Sequence, residues 1–411
     1  MRLDAVIFGG SVAGLWLLDR LSREGHHVVL LESAAIGAGQ PIGEQPILGS
    51  GTIVQPSLGS RQIAKSHRGL RGVWRDALLG RITPNLTRTR LRADCCFLWQ
   101  HGSLSSRECQ VPHGKELMDA IPMAGDERPI ALANVAGPVG RLSDQIICPA
   151  SLFNDLLNQY RDRILKFDVD RGLQFHLVSP GEVEAILLTS SSNNVKLELR
   201  PRQVVFTAGH GNTQLRQMAG LNAEVLSSRQ IHIVLARGRL TELNSFCFDG
   251  DELMATVTTD IDYCGRTVWQ ISGLLTEMSN LADSIALTHQ VRSRLTHILP
   301  GVDLRSVEWS IYPLEQTEGL KDDATLSERI QVFCAGNVTT GCPTRMLLEP
   351  LLAEEIAGRT CSPYINIPFD PTPLASWPRP TVAVLPWNEI GREWWTIDDL
   401  ATSQHSQTRA A

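Results

Sequence analysis

The sequence predicts an α/β protein in which a parallel sheet is joined to a second, largely antiparallel β domain. Three apolar runs that each end in a glycine turn, at 4–14, 204–211 and 330–341, indicate the parallel sheet. Alternation of apolar and polar residues within 229–275 indicates the second domain, because period-two alternation is typical of strands with one buried face. A chain of 411 residues that is 43% hydrophobic is long enough for two such units.

The first thirty-two residues predict the opening of a Rossmann-like βαβ unit. An apolar run at 4–8 is followed by a glycine turn, a stretch with helical spacing at 15–23, and a second apolar run at 28–31 that ends at Glu32. The turn consists of Gly9, Gly10, Ser11, Val12, Ala13 and Gly14. In such units the turn and the helix N-terminus bind a pyrophosphate, and the acidic residue accepts hydrogen bonds from a ribose. Ser11 replaces the middle glycine, which weakens the motif without removing it.

The remaining elements follow from periodicity and from turn residues. The glycine-rich segment 33–59 is expected to be a loop whose backbone approaches a ligand closely, and not a helix. Antiparallel strands are expected in 173–200 and 229–275, a further strand at 308–312, and the last glycine-turn strand at 330–337. Helices are expected at 60–80, 149–165, 288–298 and 344–357.

In this order of elements, the sequence resembles the FAD-dependent oxidoreductases of the D-amino-acid oxidase and glycine oxidase type, over residues 3–358. The resemblance rests on the opening turn with Glu32, the glycines of 37–51, the 205–209 strand and turn, and Ala335, Gly336 and Asn337. It implies a discontinuous FAD-binding domain at 1–80, 145–225 and 325–360. It also implies a substrate domain at 81–144 and 226–324, and the tail at 361–411 is expected to be an irregular arm that ends in disorder.

The resemblance implies FAD as the cofactor and a set of residues that hold it. The opening turn and Glu32 would bind the pyrophosphate and the adenosine ribose, and Asn337 would stand near the ribityl chain. A helix N-terminus after the last turn would face the pyrimidine edge of the flavin and stabilise its anionic reduced form. The implied cofactor residues outside the opening turn are Glu32, Ser33, Gly39, Gln40, Gly49, Ser50, Gly51, Thr207, Ala208, Gly209, Gly336, Asn337, Thr340, Gly341, Cys342 and Thr344.

Three residues are candidates for a catalytic role. Tyr312 precedes a proline at the end of a predicted strand and could lie over the flavin, and Arg345 could grip a substrate anion or neutralise a reduced flavin. His232 lies within an apolar strand, where a structural role competes with a role as a base. His210, after the second glycine turn, is a further possibility. The expected reaction is oxidation of a C–N or C–O bond of a small polar substrate by hydride transfer to the flavin.

Two other functions compete with this expectation. A flavin monooxygenase or halogenase that uses NAD(P)H shares the opening motif, although such enzymes usually have an aspartate where this chain has Asn337. A flavin-binding accessory subunit without its own turnover would use the segment 61–92, which has nine basic residues against one acidic residue in a chain of net charge −6. This segment is either a solvated face or a docking surface for an anionic substrate or an acidic protein partner. Nucleic acid is not an expected partner, because the chain as a whole is acidic and carries no binding motif.

The expected location and metal content follow from sequence features that are absent. The apolar residues of the N-terminus belong to the first strand and helix, so a cytoplasmic protein without a signal peptide or membrane span is expected. The chain has nine cysteines and no C-x-x-C spacing, which predicts neither a disulfide framework nor a zinc site.

Overall fold

The computed structural model describes residues 1–49, 60–101, 120–190, 195–250, 252–277, 284–319, 330–342, 345–364 and 367–396. The strands in these residues are β1 (Arg2–Phe8), β2 (Val28–Glu32), β3 (Ile47–Leu48), β4 (Leu91–Ala93), β5 (Cys96–Gln100), β6 (Ile121–Pro122), β7 (Val139–Leu142), β8 (Gln145–Ile147), β9 (Ile164–Lys166), β10 (Leu173–Ser179), β11 (Glu182–Thr189), β12 (Lys196–Phe206), β13 (Leu226–Gly238), β14 (Ser245–Asp249), β15 (Glu252–Ile261), β16 (Thr267–Ser272), β17 (Glu308–Gly319), β18 (Gln331–Ala335) and β19 (Val338–Cys342).

The α-helices connect these strands. They are α1 (Val12–Arg23), α2 (Gln40–Gly43), α3 (Ser60–Leu78), α4 (Pro149–Gln159), α5 (Val169–Gly172), α6 (Gly211–Met218), α7 (Leu274–Glu277), α8 (Ser284–Ile298) and α9 (Glu349–Ala357). Within the described residues, none of the helices combines the length and the apolar character that crossing a membrane requires.

A parallel sheet forms the first layer. Its parallel strands lie in the order β9, β2, β1, β12 and β19. The first half of β12 also pairs with the antiparallel hairpin of β10 and β11. Because β1, β2, β12 and β19 run in the same direction, their carboxyl ends meet at one edge, where α/β proteins bind their ligands.

The second sheet is mostly antiparallel, as the sequence predicts. Its strand order is β17, β13, β16, β15, β14, β5, β7 and β6, with a parallel pairing between β5 and β14. A small third sheet consists of β3, β8 and β4. The long pair of β13 and β17 lies nearest to the parallel sheet in the core, because Ile233 and Leu314 pack in one apolar cluster with residues of α1 and α9. The predicted domain boundaries stay a prediction.

Apolar clusters cover both faces of the parallel sheet. On one face, α1, α3, α4 and α9 bury Trp16, Trp74 and Phe153. On the other face, Phe8 and Phe206 pack against Phe167 and Phe175. Strands of a parallel sheet are buried on both sides, which explains why β1, β2 and the end of β12 are continuous apolar runs. These packed layers hold the loops at the carboxyl edge in place.

Most elements lie where the sequence predicts them, although several of their bounds differ. The loop 33–59 was expected to have no helix, but α2 forms one turn within it. Helix α4 ends at Gln159, earlier than expected, and β9 follows within the predicted helix. The last helix begins at Glu349 and not at residue 344, because a 3-10 turn at Met346–Leu348 precedes it. The predicted disorder of the last ten residues lies outside the described residues.

Candidate functional site

A cleft at the carboxyl edge of the parallel sheet joins the first two glycine turns. Its walls include Gly9 after β1, Glu32 at the end of β2, and Thr207 after β12. We call this the nucleotide cleft. The hydroxyl of Thr207 donates a hydrogen bond to the carbonyl of Phe8 at 3.0 Å, so the two turns are tied directly to each other.

The opening turn has the close backbone contacts that its glycines predict. Gly9 has φ of +106°, and a Cβ atom there would lie 2.6 Å from the Cα of Ala208. A Cβ on Gly14 would collide with the carbonyl of Gly9. Ser11 is the N-cap of α1, and its Oγ accepts a hydrogen bond from the N–H of Gly14 at 3.2 Å. The residue that departs from the glycine motif thus stabilises the helix start that the motif requires.

Glu32 lies at the end of β2 with both carboxylate oxygens facing backbone amides. Oε2 accepts from the N–H of Gly10 at 2.6 Å, and Oε1 accepts from the N–H of Ala34 at 2.8 Å. Burial raises the pKa of Glu32, while these amide hydrogen bonds act in the opposite direction. The carboxylate therefore links the opening turn to the segment after β2, where a ribose is expected to lie.

Asn212 connects the second glycine turn to β19. The side chain is fully buried, its Oδ1 accepts from the N–H of Ala208 at 2.8 Å, and its Nδ2 donates to the carbonyl of Gly341 at 3.1 Å. Beside it, Arg216 donates to the hydroxyl of Thr340 at 2.9 Å. Sequence analysis missed Asn212, although an asparagine directly after a glycine turn is a common signal of side-chain to backbone bonding.

The last of the three predicted glycine-turn runs, at 330–341, approaches the cleft with a different part of the chain from the one expected. Gly336 and Asn337 form the turn between β18 and β19, and the Asn337 side chain bonds to both backbone groups of Val183 on β11, at 2.8 and 2.9 Å. Because β19 pairs parallel with β12, whereas β18 pairs only antiparallel with β19, the carboxyl end that lines the cleft is Cys342. Gly336 and Asn337 are therefore not among the residues that line the cleft, and their contact with a cofactor stays a prediction.

Cys342 and Glu349 line the nucleotide cleft from this third segment. Burial raises the pKa of the Cys342 thiol to about 12, so the group is a neutral packing residue at ordinary pH. Glu349 is 6% exposed, and its Oε2 accepts a hydrogen bond from the N–H of Ala13 at 2.5 Å. Sequence analysis missed Glu349, which is a single acidic residue within the apolar stretch 346–353.

A second cavity lies between the cleft and the antiparallel sheet. Its apolar walls come from β13, β14, β15, β17 and the 3-10 turn, namely Ile231, Ile233, Phe246, Leu253, Leu314, Met346 and Leu347. We call this the substrate-side cavity. Glu44 lines both this cavity and the nucleotide cleft, so the two spaces share one wall residue. Gln45 and Arg345 add polar groups to the substrate-side cavity.

The three catalytic candidates have different surroundings. Arg345 lines the substrate-side cavity. Tyr312 lies on the same sheet face but is 5% exposed, and its hydroxyl donates to the carbonyl of Gly43 at 2.6 Å and accepts from Nε2 of Gln270 at 3.1 Å. Burial raises the pKa of Tyr312 well above its usual range. The hydroxyl is thus occupied in holding the backbone beside Glu44.

His232 does not face the substrate-side cavity. Its neighbours Ile231 and Ile233 line that cavity, and consecutive strand residues point to opposite faces. His232 pairs with Pro313, next to the pairing of Ile233 with Tyr312. His232 is therefore not among the residues that line this cavity, and its role as a base stays a prediction.

The other implied cofactor residues lie at several different places. Gly10, Ser33, Gly39, Ala208, Gly209 and the weighed candidate His210 line the nucleotide cleft. Gly49 lines the substrate-side cavity, and Gln40 begins α2. Ser50, Gly51 and Thr344 lie outside the described residues.

Arginines of the basic segment 61–92 form internal ion pairs. Arg71 lies 3.3 Å from the fully buried carboxylate of Asp144, and Arg92 forms an ion pair with the buried Asp260. Arg81 lies 3.2 Å from Asp76. These contacts neutralise part of the positive charge, so the segment is less cationic than its sequence indicates.

The parallel sheet, the glycine turn and Glu32 are the features of a dinucleotide-binding protein. Comparison with known proteins indicates which class of dinucleotide-binding protein this is. The chain is 27% identical over 393 residues to the probable FAD-dependent oxidoreductase PA4991 of Pseudomonas aeruginosa, covering 94% of this chain and 98% of that protein. The crystal structure of PA4991 matches with a TM-score of 0.77 at 25% identity and the same coverage. No protein-family model matches the chain.

Two further solved structures share the fold at lower identity. Glycine oxidase from Geobacillus kaustophilus has a TM-score of 0.58 at 16% identity, over 90% of this chain and 97% of that one. L-α-glycerophosphate oxidase from Mycoplasma pneumoniae, with FAD bound, has a TM-score of 0.57 at 13% identity, over 95% and 98%. The chain is an FAD-dependent oxidoreductase, and it shares the fold of glycine oxidase. The resemblance, the fold class and the enzyme class expected from the sequence are confirmed.

Proposed function

We propose that the protein holds FAD in the nucleotide cleft and oxidises a C–N or C–O bond of a small polar substrate that binds in the substrate-side cavity. The observation that carries this proposal is that the two spaces share Glu44 as a lining residue. A substrate in the second cavity would therefore lie next to a cofactor in the first. Bound FAD would supply the hydride acceptor, and the protein would supply binding and orientation.

The backbone of the nucleotide cleft fits an elongated dinucleotide. At Gly9 and Gly14 even a Cβ atom would clash with the backbone, so the two turns come as close to each other as the motif requires. We assign the pyrophosphate to the opening turn and the N-terminus of α1, where a helix dipole favours an anion. We assign the adenosine ribose to Glu32, whose carboxylate lines the cleft beside that turn.

The substrate-side cavity supports an amine more than an alcohol. Its walls are mainly apolar, and Glu44 gives it a carboxylate at the junction with the cleft. A carboxylate attracts an ammonium group, whereas a neutral hydroxyl gains only an ordinary hydrogen bond. Arg345 suits an acidic group elsewhere on the substrate. The fold itself does not distinguish an amine from an alcohol substrate, because glycine oxidase and L-α-glycerophosphate oxidase share it.

The alternatives have less support. A docking function for the basic segment would need free positive charge, but Arg71 and Arg92 face buried carboxylates. An NAD(P)H-dependent monooxygenase would differ from the proposed oxidoreductase because NAD(P)H, and not the substrate, would reduce its flavin rapidly. A cytoplasmic location stays a prediction from the sequence.

The test is anaerobic reduction of the FAD-loaded protein. A panel of amino acids, other amines and hydroxy acids is mixed with the protein, and loss of the flavin absorbance is followed. We expect an amine to bleach the flavin faster than the hydroxy acid of the same carbon skeleton, and NAD(P)H to bleach it slowly. Rapid reduction by NAD(P)H with no bleaching by any amine or hydroxy acid would contradict the proposal.

A further inference from the structure

The buried carboxyl of Glu349 accepts a hydrogen bond from a backbone amide at the N-terminus of α1, to which we assign the pyrophosphate. Glu349 begins α9 and lines the nucleotide cleft, and its Oε2 accepts the hydrogen bond from the N–H of Ala13, the second residue of α1. The N–H of Gly14 donates to Ser11, so two of the first three amides of α1 already have partners in the protein. Glu349 is therefore placed where it meets a bound pyrophosphate.

An ionised Glu349 and a pyrophosphate are not compatible at this position. Both are anions that seek the amides and the positive dipole end of α1, and like charges at short range disfavour the charged state of the group that can take up a proton. The pyrophosphate of FAD stays ionised at neutral pH, whereas a carboxyl can be protonated. The group that changes its charge is therefore the carboxyl.

The surroundings of Glu349 favour the neutral carboxyl. The pKa of Glu349 is raised to about 8: burial raises it most, the hydrogen bond from Ala13 lowers it, and the charge of Glu44 raises it. The titratable groups that line the same cleft are Glu32, Glu44, His210 and Cys342.

Other elements packed near Glu349 add few charges. Arg345 precedes Glu349 by four residues on the same segment. On α1, the charged residues begin at Asp19, about two turns beyond Ala13. On α3, Trp74 donates to the carbonyl of Leu347 at 3.2 Å, and Arg71 pairs with Asp144 away from the cleft. Within the described surroundings, burial and the charge of Glu44 oppose ionisation of Glu349.

We propose that Glu349 is a cofactor-site residue whose carboxyl carries a proton in the FAD complex, so that FAD binding takes up a proton at alkaline pH. This inference rests on the proposed function. When the carboxyl of the free protein is protonated, FAD binds without proton uptake. When it is ionised, binding must first restore the proton, and the affinity falls as the pH rises. The expected loss is about tenfold between pH 7 and pH 9, for one proton taken up above the pKa.

The experiment measures the dissociation constant of FAD for the apoprotein between pH 6.5 and pH 9.5 by quenching of flavin fluorescence. Proton uptake is measured in parallel by calorimetry in buffers of different ionisation enthalpy. We expect wild type to lose affinity above about pH 8 with an uptake that approaches one proton, and E349Q to bind FAD with no such loss. The matched control is E355Q, on the exposed side of the same helix, which should keep the wild-type profile.

The outcomes separate this inference from the function on which it rests. FAD binding by wild type with no change in affinity and no proton uptake up to pH 9.5 would overturn the role of Glu349 alone. The same loss in E349Q as in wild type would assign the proton to another group and would also overturn it. If wild type fails to bind FAD at pH 7, the proposed function fails, and the inference fails with it. If E349Q does not fold, calorimetry on wild type tests the inference: uptake that approaches one proton above about pH 8 supports it, and no uptake overturns it.

Discussion

Tyr312 gives the sharpest test of whether a candidate catalytic residue is in fact a support of the site. Its buried hydroxyl joins the Gly43 carbonyl, at 2.6 Å, to the Gln270 side chain, at 3.1 Å. In Y312F, both partners stay buried, and each loses a hydrogen bond. Leaving a buried polar group without its partner costs about 1–3 kcal/mol. We therefore expect Y312F to lower the free energy of unfolding by about 1–3 kcal/mol, since the two partners belong to one network.

The assay compares urea unfolding of the two apoproteins, with the slope of the transition as a check on the unfolded state. The rate of anaerobic flavin reduction is measured on the same samples. As a support residue, Tyr312 should affect this rate by less than about tenfold, because loss of a general acid or base typically costs about 10²–10⁴. The control is Y160F, in which a half-buried hydroxyl loses its bond to Asp19 far from both cavities.

Unchanged stability in Y312F together with a loss of rate above about a hundredfold would refute this reasoning and would restore a direct catalytic role. A loss of stability with a nearly normal rate would place Tyr312 among the residues that position the Glu44 segment.

Two further changes test the opening turn and the basic segment. S11A should lower the free energy of unfolding by about 1 kcal/mol, because the hydrogen bond that caps α1 is lost, whereas S11G should lose only a few tenths; equal losses in chemical denaturation would contradict the capping role. R92A should destabilise the protein by about 3–5 kcal/mol by removing the ion-pair partner of the buried Asp260, and the exposed R75A should change stability by less than about 0.5 kcal/mol. A small effect of R92A on thermal unfolding would contradict a stabilising role of this ion pair.

The opening βαβ unit could be predicted because its requirements are local. Gly9 needs a backbone conformation that other residues disfavour, and Gly14 needs the absence of a side chain, so both appear directly in the sequence. Glu32 could also be predicted locally, because it directly follows the apolar run of β2. Even Ser11 has a local explanation, since serine is a preferred N-cap residue.

The contribution of the third segment depends on pairing that a single sequence does not contain. The run 330–335 looks like the last parallel strand, but it pairs antiparallel with β19, which itself joins β12. The side chain of Asn337 consequently bonds to β11. The burial of Glu349 against α1 likewise results from the packing of α9, which a lone acid in an apolar stretch does not specify. For His232, the periodicity indicates a strand but not which face meets the cavity.

The measurement that tests the central claim most directly is FAD titration of E32A. Wild type should bind one FAD per chain, and E32A should bind it about 5- to 150-fold more weakly, which corresponds to about 1–3 kcal/mol for a lost charge-assisted hydrogen bond. E24A, at the opposite end of α1, should bind like wild type. Equal affinities of E32A and wild type would mean that the dinucleotide does not lie across the edge formed by β1, β2 and β12.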